Sequence, residues 1–167
     1  MKKLLSVLLL AAFVVIACKP ASEDGGAEYY ISFLFDGGRV EFTQGLLEFD
    51  NVPFAMYVTS DGTFIAALPQ GVSLEGGEPA TYAGIELMGP LQAGTYDVFD
   101  EEAGFMYSFA EVTWYAESGS VTVTVAGGVG AAVEGTFSGT VSDGESDHSV
   151  TDGTFRVKRI PDDSFEL

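Results

Sequence analysis

The chain has 167 residues, 25 Asp and Glu against 7 Lys and Arg, and a formal charge of −18. A chain this acidic repels phosphate backbones, which excludes nucleic acid as a partner class. An apolar share of 47% with 13% aromatics is too high for a disordered acidic chain, and a single Cys excludes an intramolecular disulfide.

Residues 1–17 read as a leader. Lys2 and Lys3 supply a positive start, and Leu4 to Ala17 is an apolar run of 14 residues. That suits a secretory signal and falls short of the roughly 18–20 residues that span a bilayer. Removing Lys2 and Lys3 with the leader leaves 25 acids against 5 bases, a formal −20 on 150 residues, enough chain for one domain. Residues 18–27, Cys18 followed by KPASEDGGA, hold Pro, Ser, Gly and charge without a large apolar side chain, the composition of a tether.

Val15-Ile16-Ala17-Cys18 resembles the lipobox of bacterial lipoproteins, in which two aliphatic or small residues and a further small one precede an invariant Cys. That resemblance implies that Cys18 takes a diacylglycerol, becomes the first mature residue and is further acylated, with palmitate among the expected chains. Two or more chains give stable membrane anchoring where one is marginal. Lys19 stands where Asp, in the best-known sorting system, retains a lipoprotein in the inner membrane; the resemblance therefore implies an outer-membrane anchor, on the periplasmic or surface side.

From residue 28 to 160 the dominant period is two. Tyr29, Ile31, Phe33 and Phe35 share one face; so do Phe54, Met56 and Val58. The run at 105–116 alternates at Phe105, Tyr107 and Phe109, and again at Val112 and Trp114. Val121, Val123 and Val125 alternate with threonines, and Val133, Phe137 and Val141 oppose Glu134, Thr136, Ser138 and Thr140. Phe155 and Val157 oppose Arg156 and Lys158, which sets Glu134 to pair with one of those bases across strands. This is the pattern of half-buried strands. Asp36-Gly37-Gly38, Ser60-Asp61-Gly62, Gly76-Gly77, Gly127-Gly128 and Asp143-Gly144 punctuate it as turns, and Pro53, Pro69, Pro79 and Pro90 fall between strands. The expectation is an all-β domain, an antiparallel β-sandwich of about nine strands, with an up-and-down, lipocalin-like barrel as the alternative. Residues 161–167 form an acidic tail. The last third, VEGTFSGTV and TDGTFRVKRI, also resembles the closing hairpin of uncharacterised envelope lipoproteins with a β-sandwich domain; that group implies no catalytic residue.

Few residues of the chain form a pattern that carries chemistry. His148 is the only His, in a loop, and reads as a solvated residue; no GxSxG elbow accompanies it. One His and one lipidated Cys leave no zinc-type ligand set. Asp143, Glu145, Asp147 and Asp152 mark a loop as a calcium candidate, although His148 and Thr154 occupy the places where an EF-hand needs Gly and Glu. Asp97, Asp100, Glu101 and Glu102 form a second acidic group. Tyr30, Tyr57, Trp114 and Tyr115 are the aromatics to watch for sugar binding. The reading is a non-enzymatic, membrane-anchored domain without a required cofactor, in a structural role or binding a protein or glycan partner. The alternatives are a calcium-dependent or carbohydrate-binding module and a carrier of a small apolar ligand.

Overall fold

The computed structural model describes residues 29–45, 50–58, 62–68 and 81–162. The leader, Cys18, the tether, Ser60-Asp61 of the predicted turn, Gly76-Gly77, Pro69, Pro79 and residues 163–167 of the tail lie outside the described residues. Within them the chain is all-β, as the alternation predicts, with ten strands and no helix. The strands are β1 (Tyr30–Phe35), β2 (Gly38–Phe42), β3 (Phe54–Val58), β4 (Gly62–Ala67), β5 (Tyr82–Leu87), β6 (Gly94–Asp97), β7 (Ala103–Phe109), β8 (Val112–Ala126), β9 (Ala132–Ser142) and β10 (Asp147–Arg159).

Pairing closes seven strands into a ring, β10-β3-β4-β5-β7-β8-β9 and back to β10. This fits the barrel, the alternative expectation, rather than two separate sheets packed face to face. The up-and-down order holds along β3–β4–β5 and β7–β8–β9–β10. It breaks at β6, which lies off the ring, and at the β10–β3 closure, which is parallel. Long strands carry two neighbours on one edge. β10 pairs with β1 over 150–156 and with β3 at Lys158 and Arg159; β8 pairs with β7 near Val112–Tyr115 and with β6 over 120–123.

Alternation decides which side chains fill the interior. Ile31, Phe33, Ile65, Ile85, Leu87, Phe105, Val121, Val123, Phe137, Phe155 and Val157 form one buried cluster. Val150 and Phe155 are five residues apart, so a regular strand would send them to opposite faces. A bulge restores the phase: register slips between Val150 and Gly153 against β9, and Asp152 takes a positive φ of 51°. A second bulge, between Val123 and Val125, turns Val125 out to solvent although its sequence neighbours alternate perfectly.

β3 and β4 are apolar on both faces. Ala55, Ile65 and Ala67 join the interior, while Phe54, Met56, Leu68 and Ile160 form a second buried cluster on the opposite face. The predicted sharing of a face by Phe54, Met56 and Val58 is therefore correct, but that face is not the barrel interior.

The β9–β10 ladder shows why two glycines recur. Gly135-Thr136-Phe137 and Gly153-Thr154-Phe155 run antiparallel, with Gly135 opposite Phe155 and Gly153 opposite Phe137. Each ring lies over the glycine facing it: a Cβ on Gly135 would meet Phe155 at 2.4 Å, and one on Gly153 would meet Phe137 at 2.8 Å. Arg156 pairs with Glu134 in the expected cross-strand ion pair.

Candidate functional site at three hairpin tips

Three hairpins meet at one end of the barrel. The β1–β2 tip is Asp36-Gly37, both at positive φ (48° and 79°), the geometry of a type I′ turn. The β9–β10 tip is Asp143 to Ser146, closed by the Ser142–Asp147 pair. The β7–β8 tip is Ala110-Glu111, closed by Phe109 and Val112. Ring contacts tie them together. Phe35 lies 5.0 Å from Trp114 and 5.2 Å from Tyr107, and it stacks on His148 at 4.9 Å. Trp114 meets His148 edge-on at 5.6 Å and stacks on Tyr107 at 5.6 Å. Burial pushes the Tyr107 phenol up from its ordinary value.

His148 is not the solvated loop residue that the sequence suggests. It sits on β10, its side chain 25% exposed, with both ring nitrogens engaged. Nδ1 lies 2.7 Å from Asp36 Oδ2, and Nε2 lies 3.0 Å from Ser146 Oγ. Ionised Asp36 only accepts, so Nδ1 carries the proton; in a neutral ring Nε2 then accepts from the Ser146 hydroxyl. Asp36 Oδ1 also accepts from the Ser149 amide (2.9 Å) and hydroxyl (3.2 Å). The bond from His148 and the Ser149 amide hold the Asp36 carboxyl below its ordinary 3.8.

Ser146, His148 and Asp36 thus have the connectivity of a nucleophile, a base and its orienter. Acyl transfer also needs amide donors aimed at a developing oxyanion. Here three amides of the same loop are already engaged. Those of Glu145 and Ser146 both donate to Asp143 Oδ1 at 2.9 Å, and that of Gly144 donates to Ser142 Oγ. The Glu145 and Ser146 amides hold the Asp143 carboxyl below its ordinary value. The arrangement is a clasp that fastens the β1–β2 turn to the start of β10.

The four calcium-candidate carboxylates are not brought together. Asp143 is turned onto its own loop, Asp147 opens β10, and Asp152 is the bulge residue further along that strand. Among the described residues, no group of three or more His, Cys, Asp or Glu is placed to hold a metal ion. In the second acidic group, Asp97 caps the Phe99 amide at 2.8 Å, and Glu102 accepts from the Asp97 amide. Of the four aromatics singled out, Tyr115 is exposed, Trp114 packs into the tip cluster, and Tyr30 and Tyr57 are half-buried. Asp36, Phe109 and Ser146 were not singled out as site residues. Asp36 meets His148 across 112 residues of sequence, a distance that no local pattern reports.

Comparison with protein-family models, curated proteins and solved structures finds no match for this chain.

Proposed function

We propose that this is a lipid-anchored cell-envelope protein, held through Cys18 at the outer membrane, whose β-domain binds a partner and is not an enzyme. One observation carries the reading: an apolar run behind two lysines ends in Val15-Ile16-Ala17-Cys18. Amides committed to Asp143 support the non-enzymatic part, because the Glu145 and Ser146 amides are not free to face a developing oxyanion. Phe33 and Phe105 both pack against Phe137 in the buried cluster, with ring centres 5.7 and 5.5 Å from it. That supports an interior used as core rather than as a pocket for a small apolar ligand.

The test is metabolic labelling of the full-length protein in a bacterial host with an alkyne analogue of palmitate. Label on the native chain and none on Cys18→Ala is the expected outcome. Label that survives Cys18→Ala removes the anchor from the account.

A further inference from the structure

We propose that the three hairpin tips form a docking surface for a cationic, partly apolar protein segment. The proposal deepens the partner-binding reading and rests on it. Three observations lead to it.

The first is an apolar pair left in water. Phe109 and Val112, directly opposed across the β7–β8 ladder, are 54% and 39% exposed. Their inward-facing neighbours Tyr107 and Trp114 are packed into the ring cluster, so the exposed pair continues an aromatic surface outward. The second is backbone strain at the same place. Ala110 and Glu111 both hold positive φ, 52° and 70°, in a turn that favours Asn and Gly. The hairpin closes only by holding Ala and Glu in a left-handed backbone, and much of the Phe109–Val112 pair stays unburied in the isolated domain.

The third is charge. The tips carry Asp36, Glu111, Asp143, Glu145 and Asp147, and no Lys or Arg lies within residues 35–37, 109–112 or 143–149. Beyond the β1–β2 turn, Arg39 is already paired with Glu41. An apolar ledge rimmed by carboxylates is complementary to a segment that alternates basic and apolar side chains. Guanidinium groups suit both parts, pairing with carboxylates and stacking on aromatic faces. An acidic segment would be repelled, and a neutral glycan has no use for the charge.

The direction of β1 fits this role. The described chain begins at Tyr29, and β1 runs from Tyr30, opposite Arg156, to Phe35 at the tip. At about 3.3 Å per residue the tip lies roughly 17 Å from that starting point. The tips therefore lie at the far end of β1 from its N-terminal residue, Tyr30.

Trp114 is the only Trp, so its fluorescence reports on this cluster alone. The full-length protein, purified in non-ionic detergent, is titrated with a Trp-free peptide of alternating Arg and Leu, with its Glu-Leu counterpart and with neutral oligosaccharides. A saturable change in Trp114 emission is expected with the Arg-Leu peptide alone, weakening when salt is raised from about 50 to about 500 mM. Phe109→Ser with Val112→Ser is expected to weaken it by about tenfold or more. Glu111→Gln with Glu145→Gln and Asp147→Asn, which leaves the apolar ledge intact, is expected to weaken it severalfold and flatten the salt dependence. Three results overturn the proposal: no response to the Arg-Leu peptide, a response that both variants retain, or an equal response to the Glu-Leu peptide or a glycan. Binding that persists in a protein without acyl label supports this surface and removes only the anchor.

Discussion

Asp36 joins local and distant structure through one carboxylate. It occupies a left-handed position in a tight turn and fastens that turn to His148 and Ser149. Its folded pKa lies below 3.8, so its contribution is complete above that value and is lost as pH falls through the folded pKa. We therefore expect Asp36→Asn to lower the urea midpoint near neutral pH. The gap from the native protein should close as the solution is acidified below 3.8. A gap that stays constant into strong acid would mean that the carboxylate's charge plays no part. Gly135 offers a second single-residue test. A methyl group there would meet the Thr122 carbonyl at 2.1 Å and the Phe155 ring at 2.4 Å. Gly135→Ala should cost about 1–3 kcal/mol by overpacking, and Phe155→Ala about 3–5 kcal/mol by leaving a cavity. Denaturant titration of each variant measures both. The double variant should recover little, because the carbonyl clash remains.

The β7–β8 hairpin shows what local sequence conceals. Asp36-Gly37 is legible as a turn because Gly and Asp accept positive φ. Ala110-Glu111 makes the same kind of turn with residues that carry no such signal, inside a run that alternates on both sides of it. Only pairing across the sheet fixes it. Left-handed backbone costs about 1–2 kcal/mol for such residues. Replacing the pair with Asn-Gly should raise stability by about 1–2 kcal/mol, read from the denaturation midpoint. An unchanged or lower midpoint would show that the turn is not strained. Bulges follow the same logic. Periodicity marks Phe155 and Val157 as core, but Val150 joins them only because Asp152 is inserted between. Asp152 thus stood out as a carboxylate in an acidic run, while its place in the fold is set by its backbone.

Strand content was legible where alternation is strict, in β1, β3 and β7–β10, since a half-buried strand must alternate whatever it pairs with; β2, β5 and β6 carry no such run, and the about nine strands expected are ten. Closure was not. A sandwich and a barrel ask the same pattern of each strand, and the choice here rests on β10 meeting β3, more than a hundred residues away in the chain. That contact pairs only Lys158 with Phe54 and Arg159 with Ala55, supported by bonds from the Lys158 amide to Pro53 and from the Ile160 amide to Ala55. It is the shortest seam in the ring. Hydrogen exchange should therefore open β3 before the long β8–β9–β10 ladders, which share registers over most of their lengths. Simultaneous exchange of all ring strands would contradict this. The candidate site was legible only as fragments, a lone His and an acidic loop, because its third member comes from the first hairpin of the domain.

The proposed anchor rests on the first 18 residues of the chain. Intact mass and N-terminal peptide analysis of the protein recovered from bacterial membranes test this directly. The expected mature protein starts at Cys18 and carries the added mass of a diacylglyceryl group and an amide-linked acyl chain. A protein that still starts at Met1, or one with an unmodified Cys18, would contradict it.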